Sequence, residues 1–390
     1  MDRSPRVSVI IPTFNRSAFL RQAIASVQAQ TYADFELIVV DDGSTDDTAA
    51  AVAGFDDPRI IYVHQENAGR SAARNRAMAQ ASGEYIAFLD DDDLYLPHKL
   101  AVQVAFLETH AELGLVGAFT QFMATDGSLQ GLRETWQKES ELSLLDCLYA
   151  CPLATCSVLL RRSWMTALDH WFDPELDRAE DKDFWVRLLL AGCSMAWTQD
   201  VVSVYRQHDD SSQQDQEGYY TGNLKLLDKL FTRSDVPEPV QAERSALYAQ
   251  QHLLNAWPAY AAGQRNLGKQ RLLLAVELAP SLLDGAPPAF VASLTAYAQT
   301  WPEADAVRVI EAVFADLPPQ LAHAQSYRGD ALSAQYMHRV FIAHAGGERP
   351  SLRDWLFGIV HAPRWLANRG VWSILVRDIL LRQGAAAGVP

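Results

Sequence analysis

The sequence predicts an α/β fold: a mostly parallel sheet with helices on both faces, followed by an all-α C-terminal region. Three observations lead there. Short β-branched runs alternate with helix-spaced segments through roughly the first 230 residues. The conspicuous polar groups fall just past the ends of those runs. Beyond residue 241 the chain is Ala/Leu-rich and helical in pattern.

VSVII at 7–11 is a short β-branched run, as expected of a buried strand. Residues 15–30 carry Phe19, Leu20, Ile24 and Val27 at helical spacing. ELIVV at 36–40 is a second strand, and Ser44 with Asp47 three residues on has the form of a helix N-cap. RIIYVH at 59–64 is a third strand, 70–81 a helix stopped by Gly83, and EYIAFL at 84–89 a fourth strand. This alternation implies βαβ units and a parallel sheet, in which ligands bind beyond the carboxyl ends of the strands. Asn15, Asp41 with Asp42, Asn67, and Asp90 to Asp93 follow the four strands in turn and so share one edge. Past Leu115 the pattern is irregular, with a turn at ATDGS (124–128) and a strand at SVLLRRS (157–163). Residues 177–192 read as a helix with an acidic start and a glycine stop, and 196–208 as a strand. The Pro-rich, charged stretch TRSDVPEPVQ (232–241) separates a first domain, 1–232, from a helical one, 233–390. Within the latter, 256–283 reads as a tetratricopeptide-like helical hairpin in a bundle.

The composition bounds the function. Apolar residues make up 49% of the 390, enough for a large core. A net charge of −15 argues against nucleic-acid binding, which leaves a basic footprint. The four cysteines form no CxxC pair, as expected of buried free thiols in a reducing cytoplasm. No apolar stretch reaches the roughly 18 residues of a membrane span. From Arg349 to Arg382, six arginines against two aspartates make the tail locally basic. There, 355–384 mixes apolar residues and arginines at helical spacing, which suits either a packed helix pair or an interfacial surface on an anionic membrane.

FLDDDDLYLP (88–97) sets four aspartates behind an apolar run. At about 4 Å and an effective dielectric near 20, each like-charged pair costs on the order of 4 kcal/mol. On an extended chain Asp90 and Asp92 share one face, about 7 Å apart, and would suit Mn²⁺ or Mg²⁺ completed by phosphate oxygens and water. Asp42 is a candidate to accept a hydrogen bond from a base or ribose, and Phe14 to stack on a base. The loop PTFNR is not a GxGxxG dinucleotide fingerprint. Glu180, Asp181 and Asp183 open a helix, where acids suit the dipole but one can also serve as a general base.

VSVIIPTFNR, ELIVVDDGSTDDT, ENAGRSAARNRAMAQASGEYIAFLDDDD and AEDKDFWVRLL, in that order and spacing, resemble glycosyltransferase family 2 enzymes of the GT-A fold over roughly residues 5–210. The resemblance implies a nucleotide-sugar donor, a divalent metal, inversion at the anomeric carbon, and a glycan or glycolipid acceptor. By position it implies that Pro12, Thr13, Phe14 and Asn15 line the nucleoside pocket and that Asp42 bonds the base, as with uracil in the family. Arg70 or Arg74 falls near the nucleotide. Asp90 to Asp92 match the DxD motif, with Asp92 as direct metal ligand and Asp90 or Asp91 on ribose or metal-bound water. Asp181 matches the catalytic base. Arg206 and His208, in YRQHDDSS, match the segment near diphosphate and metal. A QxxRW motif is missing, so single-sugar transfer is expected rather than processive synthesis. The competing reading is a non-catalytic nucleotide-sugar-binding scaffold on the same fold.

Overall fold

The computed structural model describes residues 4–133, 141–208, 215–300 and 303–380. Of the stretches quoted above, 209–212 of YRQHDDSS and 381–384 of the tail lie outside them. The chain forms two compact units, Met1–Ala242 and Glu243–Pro390. The division falls past the Pro-rich break rather than at 232/233: a short helix, Glu238–Ala242, still belongs to the first unit, and its Val240 is buried.

Among the described residues, the first unit is built on a nine-stranded sheet. Its strands are β1 (Val7–Thr13), β2 (Phe35–Asp41), β3 (Ile60–His64), β4 (Tyr85–Phe88), β5 (Leu94–Tyr95), β6 (Leu115–Met123), β7 (Leu129–Arg133), β8 (Leu159–Arg161) and β9 (Met195–Arg206). The order is β3-β2-β1-β4-β8-β6-β9-β5, with β7 paired to β6. The part read from β-branched runs, β3-β2-β1-β4, is parallel. Beyond β4 the sheet is mixed: β8 runs antiparallel to both β4 and β6, and β5 antiparallel to β9. The stretch after Leu115, irregular in sequence, contains the nine-residue β6, which turns at 124–128 into β7.

The helices of this unit are α1 (Ser17–Gln28), α2 (Thr48–Ala53), α3 (Arg70–Met78), α4 (Lys99–Thr109), α5 (Leu144–Ala150), α6 (Glu180–Leu190), α7 (Gln216–Thr232) and α8 (Glu238–Ala242). Alternating strand residues serve two faces. On one, Val7, Val9, Ile11, Leu37 and Val39 pack with Leu20, Ile24 and Val27 of α1 and Leu100 and Val104 of α4. On the other, Phe88 meets Phe172, Phe184 and Trp185 edge-on, seating α6. Helix α2 begins later than the sequence suggests. Ser44 is not its cap; the Asp46 carboxylate accepts from the Thr48 amide at 3.0 Å.

The second unit is helical: α9 (Arg244–Ala261), α10 (Arg265–Leu278), α11 (Ala289–Ala298), α12 (Glu303–Ala315), α13 (Arg328–Ala345), α14 (Leu352–His361) and α15 (Arg369–Ile374). Helices α9 and α10 form the expected hairpin. Its close approach needs Gly268, where a Cβ would lie 2.5 Å from the Tyr260 ring. Trp257, Tyr260, Phe290, Ile310 and Phe314 share its core. No helix among the described residues is long and apolar enough to cross a membrane.

Candidate active site

The carboxyl ends of β1, β2 and β4 and the start of α3 border a cleft of about 660 Å³. Pro12, Thr13, Phe14, Asp42, Arg70, Arg74, Asp90, Asp91 and Asp92 line it. Asn15, Asp181, Arg206 and His208 are not among its lining residues.

The four aspartates do not continue an extended strand. β4 ends at Phe88, and the Asp93 amide donates to the Asp90 carbonyl at 3.1 Å, closing a turn. Asp90 and Asp92 therefore do not share a face; the turn sends each carboxylate to a different partner. Asp90 pairs with Arg74 at 2.5 Å. Asp91 accepts from the Thr13 hydroxyl at 2.7 Å and from Arg16 at 3.3 Å. Asp92 Oδ2 accepts from Arg16 at 2.5 Å and lies 3.0 Å from His208 Nε2. Asp93 accepts from the Arg206 amide at 3.0 Å. Cations and donors brought from three other segments make the cluster tolerable. Burial and the neighbouring Asp92 charge push Asp91 up to about 7. Burial also drives Asp93 well above the ordinary carboxylate range. Burial would raise Asp90 too, but the Arg74 guanidinium outweighs it and holds Asp90 below that range.

At the mouth of the cleft, the Phe14 ring is 45% exposed and free of any fixed orientation toward the core. Asp42 is buried. Its Oδ1 accepts from the Ala68 amide (2.9 Å) and Gln65 Nε2 (2.7 Å), and its Oδ2 from the Gly69 amide (2.8 Å). A carboxylate offers about four acceptor positions, so one remains. Gly43, at φ +86, allows the approach: a Cβ there would sit 2.9 Å from the Asn67 nitrogen. Asn15 turns away from the cleft. At φ 53 it accepts from the Thr45 amide at 2.7 Å, while its own amide donates to Ser44 Oγ at 2.8 Å. It clamps the β1 and β2 loops together instead of lining the pocket.

Arg74 is buried between Asp90 and Glu180, the latter at 2.8 Å. It acts as a fixed strut, whereas the Arg70 side chain is 38% exposed in the cleft. Asp181 follows Glu180 at the start of α6, and Ala179 before them is left-handed at φ 64. Such a conformation in a non-glycine residue costs on the order of 1–3 kcal/mol and concentrates at functional sites. Asp181 accepts from the Lys182 amide at 2.7 Å. Burial first and the Glu180 charge second push it up to about 6, a value suited to a general base.

Arg206 supports the aspartate turn from behind. It donates to the Asp92 carbonyl (2.9 Å) and to Gln22 (2.9 Å), and its guanidinium covers the Phe19 ring at 4.9 Å. His208 is buried and stacks on Phe19 with centroids 5.3 Å apart. The donor set fits a divalent cation. Adjacent ligands of an octahedral ion with bonds of about 2.1 Å lie about 3 Å apart, which is the separation of Asp92 Oδ2 and His208 Nε2. Ligand atoms of His170, Asp173 and Asp183 also lie within 4.8 Å of one another, but Lys229 engages Asp173 and Arg187 engages Asp183.

The sequence reading missed Arg16 and the bracing role of Glu180. A charge count would have pointed to the first, since four adjacent acids require nearby cations.

Residues 8–165 match the profile of the family described as Glycosyl transferase family 2. The Escherichia coli UDP-Glc:alpha-D-GlcNAc-diphosphoundecaprenol beta-1,3-glucosyltransferase WfaP is 32% identical, over 53% of this chain and 78% of its own. Two other relatives are spanned over only 28% and 17% of their length. Among solved structures, S. aureus TarS 1-349 in complex with UDP-GlcNAc aligns with a TM-score of 0.52 at 20% identity, covering 89% of this chain and 93% of that one. The mannosyltransferase PcManGT from Pyrobaculum calidifontis, in complex with GDP-Man and Mn2+, aligns with a TM-score of 0.52 at 19% identity, covering 85% and 86%. These structures share the GT-A fold with this chain, and the sequence relatives settle the activity class: the chain belongs to glycosyltransferase family 2 and is a glycosyltransferase.

Proposed function

We propose that the protein moves a single sugar from a UDP-sugar to a hydroxyl of a lipid-linked glycan, inverting the anomeric carbon, in surface-polysaccharide assembly at the cytoplasmic face of the membrane. The observation that carries this reading is one cleft joining Phe14 and Asp42 to Asp90, Asp91 and Asp92, braced through Arg74 and Glu180 to the residue beside Asp181. The acceptor named for the glucosyltransferase relative, and the UDP-GlcNAc held by the structural neighbour, support the same substrate classes.

Phe14 stacks on the base and the remaining acceptor position of Asp42 takes a base N–H. Arg70 reaches the diphosphate. Asp92 and His208 would hold Mn²⁺ or Mg²⁺, and Asp90 or Asp91 would contact ribose or metal-bound water. Such a cation would supply charge neutralisation for the departing diphosphate. Asp181 takes the proton of the acceptor hydroxyl as that oxygen bonds to the anomeric carbon and the carbon–phosphate-oxygen bond breaks. No covalent glycosyl-enzyme is required.

Calorimetric titration of UDP, GDP, dTDP and CDP, with and without Mn²⁺, tests the donor assignment. UDP should bind in the presence of Mn²⁺ and be lost on chelation. Failure of every nucleotide to bind would overturn the assignment.

The acceptor reading has a surface to match. On α14, Asp354, Trp355 and Gly358 are buried, while Leu352, Leu356 and Val360, spaced four apart, are 44%, 47% and 72% exposed. Arg364 and Arg377 are exposed nearby in sequence. An apolar stripe with arginines suits the interface of an anionic membrane. Val360→Glu should reduce co-sedimentation with anionic vesicles; unchanged co-sedimentation would remove this surface from the reading.

A further inference from the structure

We propose that Arg16 is a built-in counter-cation that competes with the divalent cation for Asp92 and yields it when a nucleoside diphosphate arrives. The proposal rests on the donor and metal reading above and extends it to a residue outside the motifs.

The observations are geometric. A single oxygen, Asp92 Oδ2, accepts from Arg16 Nη1 at 2.5 Å and lies 3.0 Å from His208 Nε2. The same guanidinium nitrogen reaches Asp91 Oδ1 at 3.3 Å. It therefore occupies the side of the aspartate pair that a cation shared with His208 would use, and two positive charges there repel. Arg16 is rigidly mounted at its backbone. Asn15 before it is left-handed and pinned by Ser44 and Thr45, and Ser17 after it donates its amide to Asp46 at 3.0 Å. Only the long side chain can move, and at 31% exposure it already lines the cleft. A diphosphate offers that guanidinium a bidentate anionic partner. Displacement from Asp92 is then compensated inside the same cleft.

Two linked equilibria follow. Without nucleotide, Arg16 keeps cation affinity low. With nucleotide, cation and diphosphate bind synergistically, each favouring the other by the same factor.

The test measures Mn²⁺ binding by electron paramagnetic resonance of the free ion, on wild type, Arg16→Gln and Arg16→Lys, with and without UDP. Nucleotide-free Arg16→Gln should bind Mn²⁺ about two- to fivefold more tightly than wild type, the scale of a partly exposed ion pair released. The enhancement by UDP should shrink in the same variant. Arg16→Lys keeps the charge, as a point charge on a shorter reach, and should show a smaller rise. It also gives a readout if the glutamine variant does not fold. Equal or weaker Mn²⁺ binding by both nucleotide-free variants, with native melting curves, would overturn the proposal. Failure of UDP to bind wild type overturns the donor assignment instead, and leaves the nucleotide-free comparison intact.

Discussion

Arg74 Nη1 and Glu180 Oε1 lie 2.8 Å apart with both side chains buried, joining the second turn of α3 to the first turn of α6 across 106 residues of sequence. The same guanidinium holds Asp90. One buried cation thus sets the position of the aspartate turn relative to the segment that carries Asp181.

Arg74→Met should therefore destabilise the first unit severely. Removing the guanidinium leaves the buried Glu180 with only the more distant Arg70, at 3.8 Å, a loss of about 3 kcal/mol, the lower end for buried pairs. Chemical denaturation monitored by tryptophan fluorescence reads this directly. A change below about 1 kcal/mol would show that water replaces the guanidinium.

Asp181 must be ionised to accept a proton, so transfer rate should rise with pH through about 6. The neighbouring Glu180 charge helps to hold that value up, and Glu180→Gln should move the acid limb to lower pH. Asp181→Asn should lose about 10²–10⁴-fold in transfer while UDP still binds. Near-normal turnover by Asp181→Asn would remove it as the base.

Stability should run opposite to activity across the same range. Asp91 is raised in the fold from 3.8 to about 7, so the folded state holds a proton that the unfolded state releases. That contribution is full below about 3.8 and disappears as pH rises through about 7. Asp181, raised to about 6, adds to it with the same sign. Metal-free protein should show a higher denaturation midpoint at pH 5 than at pH 8, and Mn²⁺ should narrow the difference. A midpoint that rises steadily from pH 5 to pH 8 would contradict this.

Ala179→Gly should raise thermal stability by about 1 kcal/mol, since glycine adopts the left-handed conformation without strain. It should also lower kcat while leaving UDP affinity unchanged, because the segment before Glu180 and Asp181 gains freedom. Steady-state kinetics and calorimetry separate the two effects.

The four parallel strands and the edge they form were legible because each is a short β-branched run ended by a polar turn. Asp42 and Asp90 to Asp92 were found on that edge for the same reason. The aspartate turn was misread as an extended chain because period-two logic assumes that a strand continues, and here a hydrogen bond from Asp93 to Asp90 closes a turn. Asn15 was read as a pocket residue, but its side chain is directed by Thr45, 30 residues away. The pairing of Arg16 across 75 and 76 residues, and of Glu180 with Arg74 across 106, escaped notice because no local pattern encodes a long-range ion pair. The mixed half of the sheet was obscured by β8 and β5, too short to show alternation.

The hold of the 65–69 loop on Asp42 bears on re-engineering the proposed donor preference. Because Ala68 and Gly69 depend on that carboxylate for their amide partners, exchanging it to suit another base would unfasten the wall of the pocket along with its selectivity. Altered base choice is better sought at Phe14, whose ring is exposed in the cleft and whose replacement leaves the loop fastened.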